Sequence, residues 1–132
     1  MAYLKGRGQY GLRRKTVAIG IDPLKALTTG TDNVAIGTYV ADALTSGAQN
    51  VAIGVGAFGT STTGCINVAI GYGALGNSDT TGLSNIAIGE NPLDALTTGL
   101  CNVAIGRSAL GASTTGCRNV AIGESALGAA DT

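Results

Sequence analysis

The pentapeptide Asn67-Val68-Ala69-Ile70-Gly71 decides the fold of this chain, because close copies of it recur along almost the whole sequence. Successive copies begin 17, 17, 17, 18, 17 and 17 residues apart, and Thr takes the place of Asn in the first copy. A fixed short period indicates a repeat architecture in which each unit stacks on the next. The copies begin at Thr16, Asn33, Asn50, Asn67, Asn85, Asn102 and Asn119.

Each repeat has three parts. The Val-Ala-Ile segment favours a strand with Val and Ile on one face and Ala on the other. A short apolar step follows, such as Gly73-Ala74-Leu75, and then Thr-Thr-Gly, as at 97–99, where Gly permits the positive φ of a corner. Helix-pair repeats need more than about 30 residues. The sequence therefore predicts an all-β parallel β-solenoid (a β-roll or β-helix) of seven coils of about 17 residues, spanning 16–132.

Composition supports this prediction and excludes several classes of protein. The 132 residues include 22 Gly, and only 12% of the residues are charged. Glycine costs about 1 kcal/mol in a helix interior, which argues against a helical bundle. The low charge argues against disorder, and the lack of a three-residue glycine period excludes collagen.

The chain contains no His, which removes the usual general base near neutral pH and the commonest metal ligand. The segments 54–59 and 71–76 match G-x-G-x-x-G, but a dinucleotide site needs a helix directly after the glycines, and here another repeat follows. Glu90 and Glu124 share one repeat position two coils apart, which is typical of solvated charges. We expect neither an enzyme nor a bound cofactor or metal.

The small residues of the motif predict self-association. One coil of Val, Ile and Ala buries little apolar area against the cost of ordering its backbone. An alanine repeated on one strand face suggests close packing against another chain, so the sequence predicts a homotrimer with the alanines near the interfaces. These are Ala18, Ala35, Ala52, Ala69, Ala87, Ala104 and Ala121.

Residues 1–15 precede the repeats and form a basic N-terminal arm with five cationic side chains and no acidic one. The remaining chain has a net charge of −5, so the overall charge of zero hides this asymmetry. Three interpretations of the arm are open: docking on an acidic protein groove with tyrosine anchors, a flexible tail, or nucleic-acid binding. Of these three interpretations, docking on a protein is the most favoured and nucleic-acid binding is the least favoured.

The three cysteines, Cys65, Cys101 and Cys117, form no CxxC pair, and their odd number predicts free thiols. No run of 18 apolar residues is present, so we expect no membrane insertion. The arm lacks the apolar segment of a signal peptide, which favours a protein made in a cytoplasm.

The Asn-Val-Ala-Ile-Gly units, the Ala-Leu step and the Thr-Thr-Gly corner resemble the repeats of phage tail-fibre and fibre-like proteins and of the head domains of trimeric autotransporter adhesins. The resemblance covers about nine tenths of the chain. It implies a parallel β-roll within a trimer. The chain lacks stalk heptads and a membrane anchor, which favours the phage class.

The resulting prediction is a structural protein of a bacteriophage virion, made in the host cytoplasm: a trimeric fibre, spike or connector. The arm would attach it to other virion proteins through Tyr3, Lys5, Arg7, Tyr10, Arg13, Arg14 and Lys15. Variable positions after the motif are the candidates for contact with a host surface receptor. These are Tyr39, Tyr72, Glu90, Arg107 and Glu124.

Two alternatives stay open. The first is a host-binding adhesin head module. The second is an ice-binding or surface-binding solenoid, although ice-binding arrays favour Thr-x-Thr on a strand face rather than Thr pairs beside a corner. We also expect another protein, or closure of the trimer tips, to cover the C-terminal end, because an open solenoid end is an unpaired strand edge.

Overall fold

A computed structural model describes residues 15–129 of the chain. Seven three-residue strands form one parallel sheet, in which the spatial order of the strands follows the chain. No helix occurs within the described residues. This confirms the all-β parallel solenoid and its period. The strands are β1 (Val17–Ile19), β2 (Val34–Ile36), β3 (Val51–Ile53), β4 (Val68–Ile70), β5 (Ile86–Ile88), β6 (Val103–Ile105) and β7 (Val120–Ile122).

The register places identical repeat positions on top of one another along the whole sheet. Ala52 pairs with Ala35 on one side and with Ala69 on the other, so the alanines form one continuous column. The 18-residue coil keeps this register, because its extra residue is absorbed before β5. There the side chain of Asp79 accepts the N–H of Thr62 at 2.8 Å, a bond that backbone carbonyls accept in the neighbouring coils.

Glycine ends each strand for a steric reason. Gly71 has a φ of 126°, and a Cβ on it would collide with the carbonyl of Gly89 in the next coil. The glycine of the Thr-Thr-Gly corner behaves differently from the prediction. Gly47 does not have a positive φ but lies against the carbonyl of Gly64, and the positive φ falls two residues later on Gln49. The corner glycine is therefore needed because the backbones of adjacent coils come close together at this position.

The interior is filled by the alanine column together with larger side chains from the apolar step. The sizes of these side chains differ between coils: the second coil pairs Ala41 with Leu44, the third pairs Phe58 with Ser61, and the fifth has leucine at both positions, all of them buried. The leucine that distinguishes some repeats thus fills the same interior place as serine in others. Close packing of this kind leaves little tolerance for a change in volume.

The asparagines form a ladder at the start of strands β2–β7, and its members from Asn33 to Asn102 are buried. The Nδ2 of Asn50 donates to the carbonyl of Gly64 at 2.8 Å, and the backbone N–H of Asn67 donates to the Oδ1 of Asn50 at 2.9 Å. Each amide therefore satisfies backbone groups in its own coil and in the next. Such satisfaction is required of buried polar groups, which explains why Asn recurs at this position.

Candidate functional site

The outward face of the sheet is apolar in every coil. Each strand buries its central Ala, and the residues on either side, Val or Ile, point away from the interior. These side chains are half-buried in β1–β6 because stacked neighbours cover part of each one. At β7, the last strand of the described residues, Val120 is 64% exposed and Ile122 is 68% exposed. We call these two columns, which run from β1 to β7, the Val/Ile face.

The alanine column does not lie where the sequence analysis placed it. Its side chains are 0–4% exposed within a single chain, and they pack against the chain's own leucines. No second chain can contact them while the coil is intact. This corrects the expectation that the alanines line the subunit interfaces: Ala18, Ala35, Ala52, Ala69, Ala87, Ala104 and Ala121 are core residues.

A third outward column follows the strand-ending glycine and contains four of the five predicted contact residues. Tyr72, Glu90, Arg107 and Glu124 occupy it in successive coils, and Tyr39 lies one position further along its own coil. All five side chains are exposed. The structure therefore places these candidates along one side of the solenoid, with aromatic residues towards its N-terminal half and charges towards its C-terminal half.

The charged end of this column is an ion pair rather than a set of isolated charges. Arg107 hydrogen-bonds and pairs with Glu124 in the next coil. That hydrogen bond, the charge of Glu124 and the charge of Glu90 together hold the pKa of Arg107 above its ordinary value. The pair is solvent-exposed, so it contributes little to stability. It does place both signs of charge beside the Val/Ile face.

Of the predicted attachment residues, only Lys15 falls within the described part of the chain, and it is exposed. Tyr3, Lys5, Arg7, Tyr10, Arg13 and Arg14 lie outside the described residues. The three cysteines form no disulfide with one another in the described part of the chain. Cys65 is half-buried, whereas Cys101 and Cys117 are exposed, and the sulfur of Cys117 accepts the N–H of Leu100 at 3.3 Å.

Sequence reasoning missed a concave site on the corner beside the third column. Two consecutive coils have glycine at two corner positions, and these four residues form the floor of a depression of about 740 Å³. We call this depression the glycine notch; its floor is Gly56, Gly59, Gly73 and Gly76. The signal was the pair of G-x-x-G segments within the G-x-G-x-x-G matches. The structure shows no helix after either segment, so the dinucleotide interpretation stays rejected.

The described residues contain no helix long and apolar enough to cross a membrane. Within the same part of the chain, no group of three or more Cys, Asp and Glu side chains is placed to hold a metal ion. Comparison with protein-family models, with curated proteins and with solved structures finds no match to this chain.

Proposed function

We propose that this protein is a structural rod that assembles as a homotrimer through the Val/Ile face and serves as a fibre, spike or connector of a bacteriophage virion. The observation that carries the proposal is the Val/Ile face itself. It is a continuous apolar surface along seven strands, and no segment of the described chain covers it. Contiguous exposed apolar surface on a protein marks an interaction site.

A second copy of the chain is the partner that fits this surface best. The outward columns repeat with the same spacing as the coils, about 4.8 Å, so an identical column on another chain matches them over the full length. In a closed ring of three chains, each chain packs its Val column against one neighbour and its Ile column against the other. This heterologous arrangement closes without leaving an apolar column exposed.

The virion assignment rests on the resemblance of the repeat to phage fibre proteins and on the shape of the molecule. Seven stacked coils give a rod on the order of 35 Å long. A rod of stacked parallel strands is a mechanical element, and the basic arm, residues 1–15, would attach it to another virion protein. Its chemistry is scaffolding, and we propose no catalytic role.

Two experiments test this function. Antibodies against the protein, detected by gold labelling, should decorate particles purified from a host culture that carries the gene. A chain without residues 1–15 should retain the mass of the assembled full-length protein and fail to enter those particles. Particles that never carry the label would contradict the virion assignment, and normal incorporation of the shortened chain would contradict the role of the arm.

The adhesin head module remains a second candidate because Tyr39, Tyr72 and the charged column are exposed on one side of the rod. Purified full-length protein that binds host cells in the absence of particles would favour it. Thermal hysteresis would favour the ice-binding alternative. The structure offers little for that alternative, since the hydroxyls of Thr45 and Thr97 donate to the carbonyls of Thr62 and Thr114 in the next coil.

A further inference from the structure

The glycine notch has walls as well as a floor. The corner positions that hold Gly56 and Gly59 in the third coil hold Tyr39 and Asp42 in the second coil. The fifth coil closes the other end with Asn91. The two glycine coils therefore lie between two coils with large polar side chains, and the alternation of repeat types along the chain produces a recess two coils wide.

The fold does not require glycine at position 56 of this recess. Tyr39 and Asn91 occupy the position equivalent to Gly56 with φ values of 52° and 51°, so side chains are accommodated in this left-handed conformation. A Cβ built on Gly56, whose φ is 66°, would meet nothing within 4 Å. Gly56 thus leaves open a space that other coils fill, which is the property expected of a binding site.

The side chains that line the recess combine aromatic surface with neutral and anionic polar groups. Tyr39 is 51% exposed and Tyr72 is 63% exposed, and Val55 lies between their coils in the column that contains Tyr72. The opposite side carries the hydroxyl of Thr60 and the amide of Asn77, which donates to the carboxylate of Asp94 at 2.6 Å. No lysine or arginine lines the notch.

We propose that the glycine notch binds a neutral pyranose sugar. A pyranose presents aliphatic C–H faces, which pack on tyrosine rings, and a rim of hydroxyls, which donate to carboxylates and exchange hydrogen bonds with amides and hydroxyls. The volume of about 740 Å³ lies within the range of small-molecule sites. The carboxylate of Asp42, with no cation beside it in the notch, selects against anionic sugars.

A basic peptide is the competing occupant, and the lining favours the sugar over it. A single carboxylate, that of Asp42, lines the notch, which gives a peptide with several positive charges only one counter-charge. The other polar groups are uncharged. The Thr60 hydroxyl donates to the carbonyl of Gly76 at 2.9 Å and can accept a bond from a sugar hydroxyl, and Asn91 supplies an amide. The recess is open, so we expect weak binding with rapid exchange and a dissociation constant in the millimolar range. The inference does not depend on the virion assignment or on the trimer.

Saturation-transfer NMR on the full-length protein tests the proposal, with glucose, galactose, mannose and N-acetylglucosamine as separate probes. At least one probe should receive saturation, and the Tyr72→Ala variant should reduce the affinity at least about 10-fold, because a stacking ring is lost. The Gly56→Asn variant, which copies Asn91, should abolish binding by filling the recess. Ser108→Asn, at the same repeat position in the sixth coil, is the control and should bind like the parent chain.

Circular dichroism and solution mass of each variant separate the site from the fold and from the assembly. The expected result is an unchanged spectrum and mass with lost sugar binding in Tyr72→Ala and Gly56→Asn. Absence of saturation for all four sugars with the parent chain would overturn the proposal. So would undiminished binding by both variants, or binding of an Arg-Arg-Lys peptide at the notch in place of any sugar.

Discussion

The two faces of the same seven strands are equally regular in sequence but differ in what covers them. On the inner face the alanines are 0–4% exposed and pack against the chain's own leucines. On the outer face Val and Ile repeat with the same strictness, yet no described segment of the chain packs on them. The comparison teaches that regularity alone does not identify a core. The regularity of the inner column is explained by packing within the chain, and that of the outer columns is the basis of our proposal that a second copy packs on them.

The largest effect is expected from breaking the interior through its asparagine ladder. In Asn67→Ala, the carbonyl of Gly82 loses its donor and the N–H of Asn85 loses its acceptor, while the Nδ2 of Asn85 keeps only the carbonyl of Gly99. Unsatisfied buried groups cost about 1–3 kcal/mol each, so we expect the free energy of unfolding to fall by about 4 kcal/mol. Urea denaturation followed by circular dichroism measures this change.

The matched control for the ladder is Asn77→Ala, which removes an exposed amide whose partner is Asp94. It should change the free energy of unfolding by less than about 0.5 kcal/mol. Equal losses of unfolding free energy in Asn67→Ala and Asn77→Ala would show that the buried ladder stabilises the fold no more than an exposed hydrogen bond does.

A second substitution compares adjacent residues of one strand. Ala69→Leu adds volume to the packed interior and should lower the free energy of unfolding by about 1–3 kcal/mol. Val68→Leu makes a smaller enlargement one residue earlier, on the outer face, where the side chain is half-buried and lies outside the chain's own interior. We expect its effect on unfolding of the chain to be less than about 1 kcal/mol. The denaturation midpoints of the two variants would contradict the assignment of the faces if Val68→Leu proved the more destabilising.

A third substitution acts on the outer face alone. Replacing Ile53 and Ile70 with Lys places two charges on each chain within the Val/Ile face, so the association constant should fall at least about 100-fold. The circular dichroism spectrum should be retained, because neither side chain lies in the interior. Thr98→Lys adds the same kind of charge at an exposed corner and should leave the association unchanged. Sedimentation equilibrium of the parent chain, the double variant and Thr98→Lys measures the association. A double variant that stays associated would place the interface elsewhere.

The smallest effect is expected at an apolar residue that is exposed but lies off both faces. Ile66 is 51% exposed and has a φ of 59°, which is unfavourable for a β-branched side chain. Ile66→Asn should raise the free energy of unfolding by about 1 kcal/mol, because Asn tolerates this conformation. The solution mass should not change. A loss of association in this variant would mean that scattered apolar residues, rather than the Val/Ile face, hold the chains together.

The strands, their parallel register and the number of coils followed from the sequence, because a period of 17 residues with a strand-forming triplet leaves few alternatives. Which strand face turns inward did not follow. The alternation of side chains along a strand places Val68 and Ile70 on one face and Ala69 on the other. It does not determine which of the two faces points to the interior. The direction is decided by how much room remains once Leu75 and Phe58 occupy the interior, and only the folded coil shows that room.

The glycine notch escaped sequence analysis for a different reason. The segments that contain Gly56 and Gly73 read as ordinary corners of the repeat. Their significance depends on the side chains that the neighbouring coils carry at the same corner. These are Tyr39 and Asp42 in the coil before and Asn91 in the coil after. A recess is a property of neighbouring coils compared at one position, which a scan along the chain does not examine.

The central claim, that the Val/Ile face holds identical chains together, is tested most directly by the mass of the intact protein in solution. Light scattering coupled to size-exclusion chromatography should return three times the 12.9 kDa of one chain, and the Ile53→Lys, Ile70→Lys double variant should return 12.9 kDa with an unchanged spectrum. A parent chain that elutes as a stable, soluble 12.9 kDa monomer would contradict the account.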